Sequence, residues 1–369
     1  QPRFGLNHEG RLWGGGNSND PHRLYYSTAS DHENFTSAGS GTISVFPGEG
    51  ERLVGGISYR GAIVCFKEPV GIYIVDTSSP SVANWSVTKI SRSIGRVGVR
   101  AYSQVEDDVI FVDKNNEIRL LSAVDEFGDV GTKSLSDISD MGEFFRDNLN
   151  VANKSGWTAI YYPTKRQAHI SATGSGVTTH NSRIVIDFNK PGLSKFSFSQ
   201  RENCEALWIR DNSGEPQILC GDDDGRVLSL DNATRSHDGT GYDSEVRTPF
   251  TDLNYIDPKL SVVRKNGKYL EIVTEPTGDF DVNADIYWDG NLHQTVTFNM
   301  GSDAATLGSF VFGTDKLGGS NILNKKRRIT GSGRRISVGF RNSGNGENFS
   351  LSKAILHFSI GTDRPGTAA

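Results

Sequence analysis

Short apolar strands separated by turn-forming residues recur from the start of this chain to Asp231, and that repetition constrains the fold more than any other feature. Arg11 to Trp13 and Arg23 to Ser27 flank the glycine-rich run Gly14 to Pro21, and Ile43 to Phe46 follows. Gly61 to Phe66 and Gly71 to Val75 pair across a proline-bearing turn, Lys67 to Val70. Val109 to Val112 and Glu117 to Leu121 are parted by Asp113 to Asn116, and Trp157 to Tyr162 and Gln167 to Ser171 by Pro163 to Arg166. Arg183 to Phe188 and Lys195 to Phe198 repeat the arrangement across Asn189 to Gly192. Ala206 to Ile209, Gln217 to Cys220 and Val227 to Leu230 form a three-strand meander. The units recur roughly every 40 to 50 residues, the spacing of four-stranded propeller blades. A large sandwich or barrel also gives serial hairpins, and no WD or kelch signature marks each unit.

Composition agrees with strands rather than helices. Glycine is abundant (42), methionine rare (2), and hydrophobic residues reach only 35%, so the blocks that build packed helices are missing. The fold class expected is all-β, a β-propeller followed by a C-terminal β-sandwich domain. One segment breaks the rhythm. In Asp137 to Asn150, the spacing of Met141, Phe144, Phe145 and Leu149 puts all four on one helical face, with Asp137 or Ser139 as a cap. That face packs either within the chain or as a subunit-interface helix.

From about Asp243 the strands lengthen and alternate: Tyr269 to Thr274, Ala284 to Trp288, Gln294 to Phe298, Arg335 to Phe340 and Lys353 to Ile360. The polar run Arg235 to Ser244 reads as a linker. The expected domains are 1–242, propeller-like with the helix inserted near 137–150, and 243–361, a β-sandwich, with 362–369 a flexible tail.

The formal charge of −5 argues against a dedicated nucleic-acid binder, although a surface of like sign lets DNA slide past without sticking. Three cysteines without a C-x-x-C pair make a disulfide framework or zinc site an unfavoured reading. Cys65 and Cys220 read as small buried hydrophobes in a reducing compartment. No stretch reaches the roughly 18 to 20 apolar residues of a membrane span, and no signal region opens the chain, so a soluble protein is expected.

The chemistry-bearing residues form no constellation. Asp222 to Asp224 before Gly225 lack the alternate spacing and distal Glu of a calcium loop and read as a hairpin turn. Gly14 to Gly16 lack the Lys-Ser/Thr of a phosphate loop, and the eight histidines are scattered. A propeller glycosidase needs two facing carboxylates; Asp76, Asp113 and Asp187 sit at strand ends, but no pairing follows from the sequence. No catalytic residue, metal or cofactor is expected. The basic cluster Lys325, Lys326, Arg327, Arg328, Arg334 and Arg335 reads either as a contact for DNA phosphates or an acidic partner, or as a solvated edge strand.

Several stretches resemble the β-propeller proteins of tailed-bacteriophage tails, including the tail nozzle and packaged-DNA stabilisation proteins of short-tailed phages. They are GRLWGGGNSNDPHRLYYSTASDHENF (Gly10 to Phe35), VGGISYRGAIVCFKEPVGIYIV (Val54 to Val75) and SIGRVGVRAYSQVEDDVIFVDKNNEIRLL (Ser93 to Leu121). GDDDGRVLSLD, EVRTPFTDL and the ending GSGRRISVGFRNSGNGENFSLSKAILHFSI continue the series. Only Gln1 to Glu9 precede the opening hairpin, where family members often have further strands. The resemblance implies a non-enzymatic virion protein, assembled in the host cytoplasm as a homo-oligomeric ring, commonly a hexamer. The ring would sit below the tail adaptor ring near tail fibre or needle proteins, touch genomic DNA transiently, retain it and form the channel for its ejection. The alternative is a receptor- or glycan-binding propeller using Tyr25, Tyr26 and Trp85, and after it a propeller glycosidase.

Overall fold

A computed structural model describes residues 1–49, 52–96, 98, 100–122, 134–135, 141–191, 195–199, 203–231, 234–301 and 322–361. The chain divides into two compact units, Gln1–Asp231 and Asn232–Ala369.

Among its described residues the first unit is a series of antiparallel meanders. β1 (Phe4–His8), β2 (Arg11–Gly15), β3 (Arg23–Tyr26) and β4 (Gly41–Ser44) form the first sheet; β5 (Arg52–Tyr59), β6 (Ala62–Glu68), β7 (Ile72–Asp76) and β8 (Ser86–Ser91) the second. β9 (Tyr102–Val105), β10 (Asp108–Val112) and β11 (Ile118–Leu120) follow, then helix α1 (Met141–Asn148). β12 (Thr158–Tyr162), β13 (Gln167–Ala172), β14 (Ser182–Asp187) and β15 (Phe196–Ser199) form the fourth sheet, and β16 (Ala206–Asn212), β17 (Glu215–Gly221) and β18 (Val227–Ser229) the fifth.

The side-chain alternation of the middle strands shows how these sheets stack. Ile63 and Cys65 of β6 pack with Trp13, Leu24 and Tyr26 of the first sheet, while Val64 and Phe66 pack with Val109 and Phe111 of the third. In β10, Ile110 and Val112 turn the other way, onto Ala168, Ile170 and Ile184 of the fourth. A strand covered on both faces has no solvent side, so β6 and β10 read as continuous apolar runs. Each such buried side chain contributes roughly 1.5 to 3 kcal/mol. First strands meet first strands, β1 beside β5 and β12 beside both β9 and β16. Sheets stacked face to face in chain order, with first strands together, make a propeller-like unit.

Three of those first strands, β1, β5 and β9, carry no continuous apolar run and are not anticipated by the hairpin pattern. β5 shows why. A Cβ at Gly56 would lie 2.9 Å from Leu6 Cδ2 and 3.3 Å from Phe4 Cε2, so β1 packs its side chains where β5 carries glycine, and that glycine weakens the apolar signal. Gly14 and Gly15, read from the sequence as turn residues, lie within β2; the turn that follows begins with Gly16, at φ +75°.

The second unit is a β-sandwich. β19 (Ser244–Arg247), β20 (Arg264–Thr274), β21 (Asp281–Trp288), β22 (Asn291–Asn299), β23 (Leu323–Arg328), β24 (Ser332–Gly333), β25 (Ile336–Asn342) and β26 (Leu351–Gly361) sort into two sheets. One runs β19-β25-β21-β22; in the other, β20 pairs with β26 along one edge and with β23 and β24 along the other. Leu270 and Ile272 of β20 share a core with Val282, Ala284, Ile286, Phe298, Val338 and Phe340 of the opposite sheet. The polar run expected as a linker is folded onto this unit: Arg235 Nη1 donates to Asn348 Oδ1 at 2.9 Å and Asn345 Nδ2 to Gly239 O at 2.8 Å. The division therefore falls before that run.

One further expectation is corrected. Cys204 and Cys220, on adjacent segments with Cα atoms 5.5 Å apart, are paired as a disulfide; Cys65 is the free, buried cysteine, its thiol pushed up to about 12 by burial. Sequence spacing could not show that the return of β17 brings Cys220 back to the start of the same meander. The Asp137 and Ser139 caps and the 362–369 tail lie outside the described residues.

Candidate functional site

The opening hairpin builds a cleft, and cross-strand register explains it. In the first sheet Gly5 lies opposite Gly14, and Gly14 opposite Tyr25. Phe4, Leu6, Trp13, Leu24 and Tyr26 project to the other face, into the core. Gly5 leaves its part of this face without a Cβ, Gly14 beside it is covered by the Pro2 ring, and Leu12, Tyr25, Pro2 and Phe35 line the hollow between them. The resulting cleft measures about 690 Å³. Phe35 is 40% exposed, although it is a large apolar ring. It is carried by a loop of side-chain-capped turns, in which Asn34 Oδ1 accepts from the backbone N–H groups of Thr36 (3.3 Å) and Ser37 (3.0 Å).

The cleft has a polar rim. Tyr25 Oη donates to Asp20 Oδ2 at 2.7 Å, and that hydrogen bond, more than burial, raises the phenol above its ordinary range. Asn17 lines the cleft, its Oδ1 accepting from Asn19 N at 3.2 Å, and Arg3 completes the wall. Of the three aromatics expected to serve a receptor, only Tyr25 is here. Tyr26 is 5% exposed and packs against Trp13 at 4.9 Å and Trp85 at 5.2 Å between ring centroids, with the Arg11 guanidinium 5.5 Å above its own ring. Tyr26 is a core residue, and Trp85, half-buried, packs against that core. Phe35, Gly5 and Gly14 are the members that residue typing missed; the signal was the register that sets two glycines opposite each other.

The basic cluster does not form one patch. Lys325 to Arg328 lie on β23, an edge strand, and alternate between its faces. Lys325 Nζ donates to Gly301 O and Arg327 Nε to Thr297 O, both at 3.2 Å. On the other face Lys326 Nζ sits 4.6 Å above the Tyr269 ring and opposite Glu271. Hydrogen bonds from Asn324 and then His357 hold the Glu271 carboxyl below its usual range. Arg334 and Arg335 belong to the segment after β24, where their backbone N–H groups donate to Asp289. An expectation of six side chains on one phosphate-facing surface is not met, because strand geometry splits the four on β23.

Of the two placements open to the helix, within the chain or at a subunit interface, its apolar face takes the internal one. Met141, Phe145 and Leu149 are buried in the core shared by the third and fourth sheets; Phe144 packs on the same core and meets Phe198 edge to face at 5.0 Å. Amphipathicity located the face but not its partner.

The carboxylates at strand ends serve turns. Asp76 accepts from Ser78 N at 2.9 Å, a backbone hydrogen bond that lowers its pKa. Asp113 is buried, accepting from Asn115 N (2.7 Å), Glu117 N (3.0 Å) and Arg119 Nε (2.7 Å). Asp187 accepts from Asn189 N at 2.9 Å and Gln167 Nε2 at 3.2 Å. They sit on the second, third and fourth sheets respectively. Asp222 likewise accepts from Arg226 N at 2.6 Å and Nε at 2.7 Å in the β17–β18 turn. Among the described residues, no group of three His, Cys, Asp or Glu side chains is placed to hold a metal ion.

No protein-family model and no curated protein matches the sequence at a significant level. Among solved structures, the chain is similar to the computationally designed protein Ika8, at 10% identity, over 61% of this chain and 56% of that one, with a TM-score of 0.36. It is similar to an exo-β-1,3-galactanase from Phanerochaete chrysosporium, solved with galactose, at 11% identity over 96% and 95% of the two chains, TM-score 0.33. A third is a family 43 arabinoxylan arabinofuranohydrolase from Bacillus subtilis, at 10% identity over 96% and 94%, TM-score 0.27. This chain spans little more than half the length of the designed protein. Likeness at these values assigns no activity to this chain. It does correct one expectation: two of the three are glycoside hydrolases, and the exclusion of an enzyme drawn from the sequence does not stand against that finding.

Proposed function

We propose that this chain is a tail component of a tailed bacteriophage, a nozzle or hub ring below the head-to-tail adaptor that helps retain packaged DNA and forms the channel for its ejection. The observation that carries this reading is the order of the resembling stretches. The opening hairpin, Val54 to Val75, Ser93 to Leu121 and Gly221 to Asp231 fall in turn on the first, second, third and fifth sheets, and the closing stretch falls on β25 and β26 of the sandwich. A net charge of −5 suits a wall that DNA passes without adhering, since nonspecific binding needs clustered cations and β23 divides its own between two faces. The test is electron microscopy of the purified chain, alone and with an adaptor ring. Closed rings support the reading, and a monomer under all conditions, absent from virions, sinks it.

A second reading, a receptor- or glycan-binding propeller of the same tail, is favoured by one observation, the aromatic cleft of the first sheet. Saturable binding of an oligosaccharide supports it. Release of sugar from the bound oligosaccharide would make the chain a glycosidase.

A further inference from the structure

We propose that the cleft over the Gly5–Gly14 pair is a saccharide-binding site taking a neutral hexopyranose unit, with Tyr25 and Phe35 as its aromatic walls; the inference rests on the glycan-binding reading. A pyranose presents an apolar C–H face and a hydroxyl edge, and the cleft offers a counterpart to each. Its floor and walls, Gly5, Gly14, Leu12 and the two rings, are apolar. Its lining also includes Asn17, Arg3 and Tyr25, side chains of the types that donate to and accept from sugar hydroxyls. The 690 Å³ volume falls in the roughly 300 to 1,000 Å³ range of small-molecule sites.

Three details point to a built site rather than an accidental hollow. Glycine is unfavourable in a strand interior, yet two stand opposite each other here. A Cβ on Gly14 would meet the Pro2 ring at 3.3 Å, whereas one on Gly5 finds only Trp13 O at 3.4 Å and Leu12 Cδ1 at 3.9 Å. The Gly5 position thus tolerates a side chain, so its glycine serves the open space and not the backbone. Tyr25 is fixed by Asp20, and Asp20 lies 3.8 Å from Arg23, so one wall is held before a ligand arrives. The Phe35 ring stays exposed on a loop that hydrogen-bonds back to Thr28, whose N–H donates to Asn34 O at 2.9 Å.

The test is isothermal titration of the full chain with cellotetraose, maltotetraose and β-1,3-galactotriose, with a proline-rich decapeptide as the competing chemistry. Saturable binding of at least one saccharide is expected. Gly5→Val, which fills the floor at a position where a β-branched residue suits the strand, is expected to abolish that binding with the melting temperature kept or raised. Phe35→Ala should weaken it about tenfold through loss of one ring face. Saccharide binding that survives both substitutions overturns the site while the glycan-binding reading stands. No saccharide binding, or binding of the decapeptide instead, overturns both.

Discussion

Gly55 and Arg96 offer the sharpest test of how the second and third sheets are held together. Arg96 is 2% exposed, its guanidinium 4.1 Å from the Tyr102 ring centroid and 5.1 Å from that of Phe66, and its Nη2 donates to Val54 O at 2.5 Å. Burial lowers its pKa to about 10, which still leaves it charged at neutral pH. A Cβ added at Gly55 would overlap Nη2 outright and lie 2.6 Å from Cζ. Rings on two sides leave the guanidinium no free rotamer, so Gly55→Ala must either strain the stack or expel the cation. Strain of this kind costs about 1 to 3 kcal/mol. Expulsion forfeits a desolvated cation–π contact of ~2 kcal/mol and a charged hydrogen bond of ~1.5 to 3 kcal/mol. Replacing a strand glycine returns roughly 0.5 to 1 kcal/mol, which leaves a net loss of up to about 2.5 kcal/mol by the strained route and about 2.5 to 4.5 kcal/mol by expulsion, a fall in melting temperature on the order of 5 to 10 °C. Thermal and urea denaturation of the purified variant measures this, with Gly5→Ala as the control that should lose nothing. A Gly55→Ala protein as stable as the wild type would refute the buried stack.

Three shorter tests follow from the same core. His169 is fully buried and held at about 4, below its ordinary 6.5, first by burial and then by the Arg183 charge. The unfolded chain therefore takes up a proton that the folded chain refuses. Stability is complete above pH 6.5 and declines toward pH 4, by roughly 3 kcal/mol at 1.36 kcal/mol per pH unit, and urea titrations at pH 7 and 4.5 should show it, with His169→Asn flattening the slope. Phe145→Ala should cost about 3 to 5 kcal/mol with no change in sedimentation, since its ring fills the core of its own unit; a change in association without a stability loss would restore the interface role. Lys326→Gln, which removes one positive charge, should leave DNA retention on a filter at low salt unaltered, whereas a loss would show that β23 presents its cations to phosphate after all.

How much of this was legible beforehand depended on the strand. Middle strands such as β6 and β10 announced themselves, because burial on both faces demands an unbroken apolar run. The first strands β1, β5 and β9 did not. β5 carries Gly55 and Gly56 where Arg96 and β1 press close, so the contacts that shape the unit erase the pattern that would reveal it. The helix face of Met141, Phe145 and Leu149 was readable from spacing, but a period of 3.6 says which residues are hidden and not what hides them. Tyr25 and Tyr26 are neighbours of one type, and only the alternation of β3 sends one to the cleft and the other to the core. For the same reason Lys325 and Lys326 read as a cluster in sequence and part company on the strand.

Membership of a phage tail, the function proposed above, is tested most directly by cryo-electron microscopy of virions labelled with antibody against this chain. Label is expected only on the tail below the head-to-tail adaptor, over density that accommodates a ring of copies. Unlabelled virions, or label on the head, would contradict it.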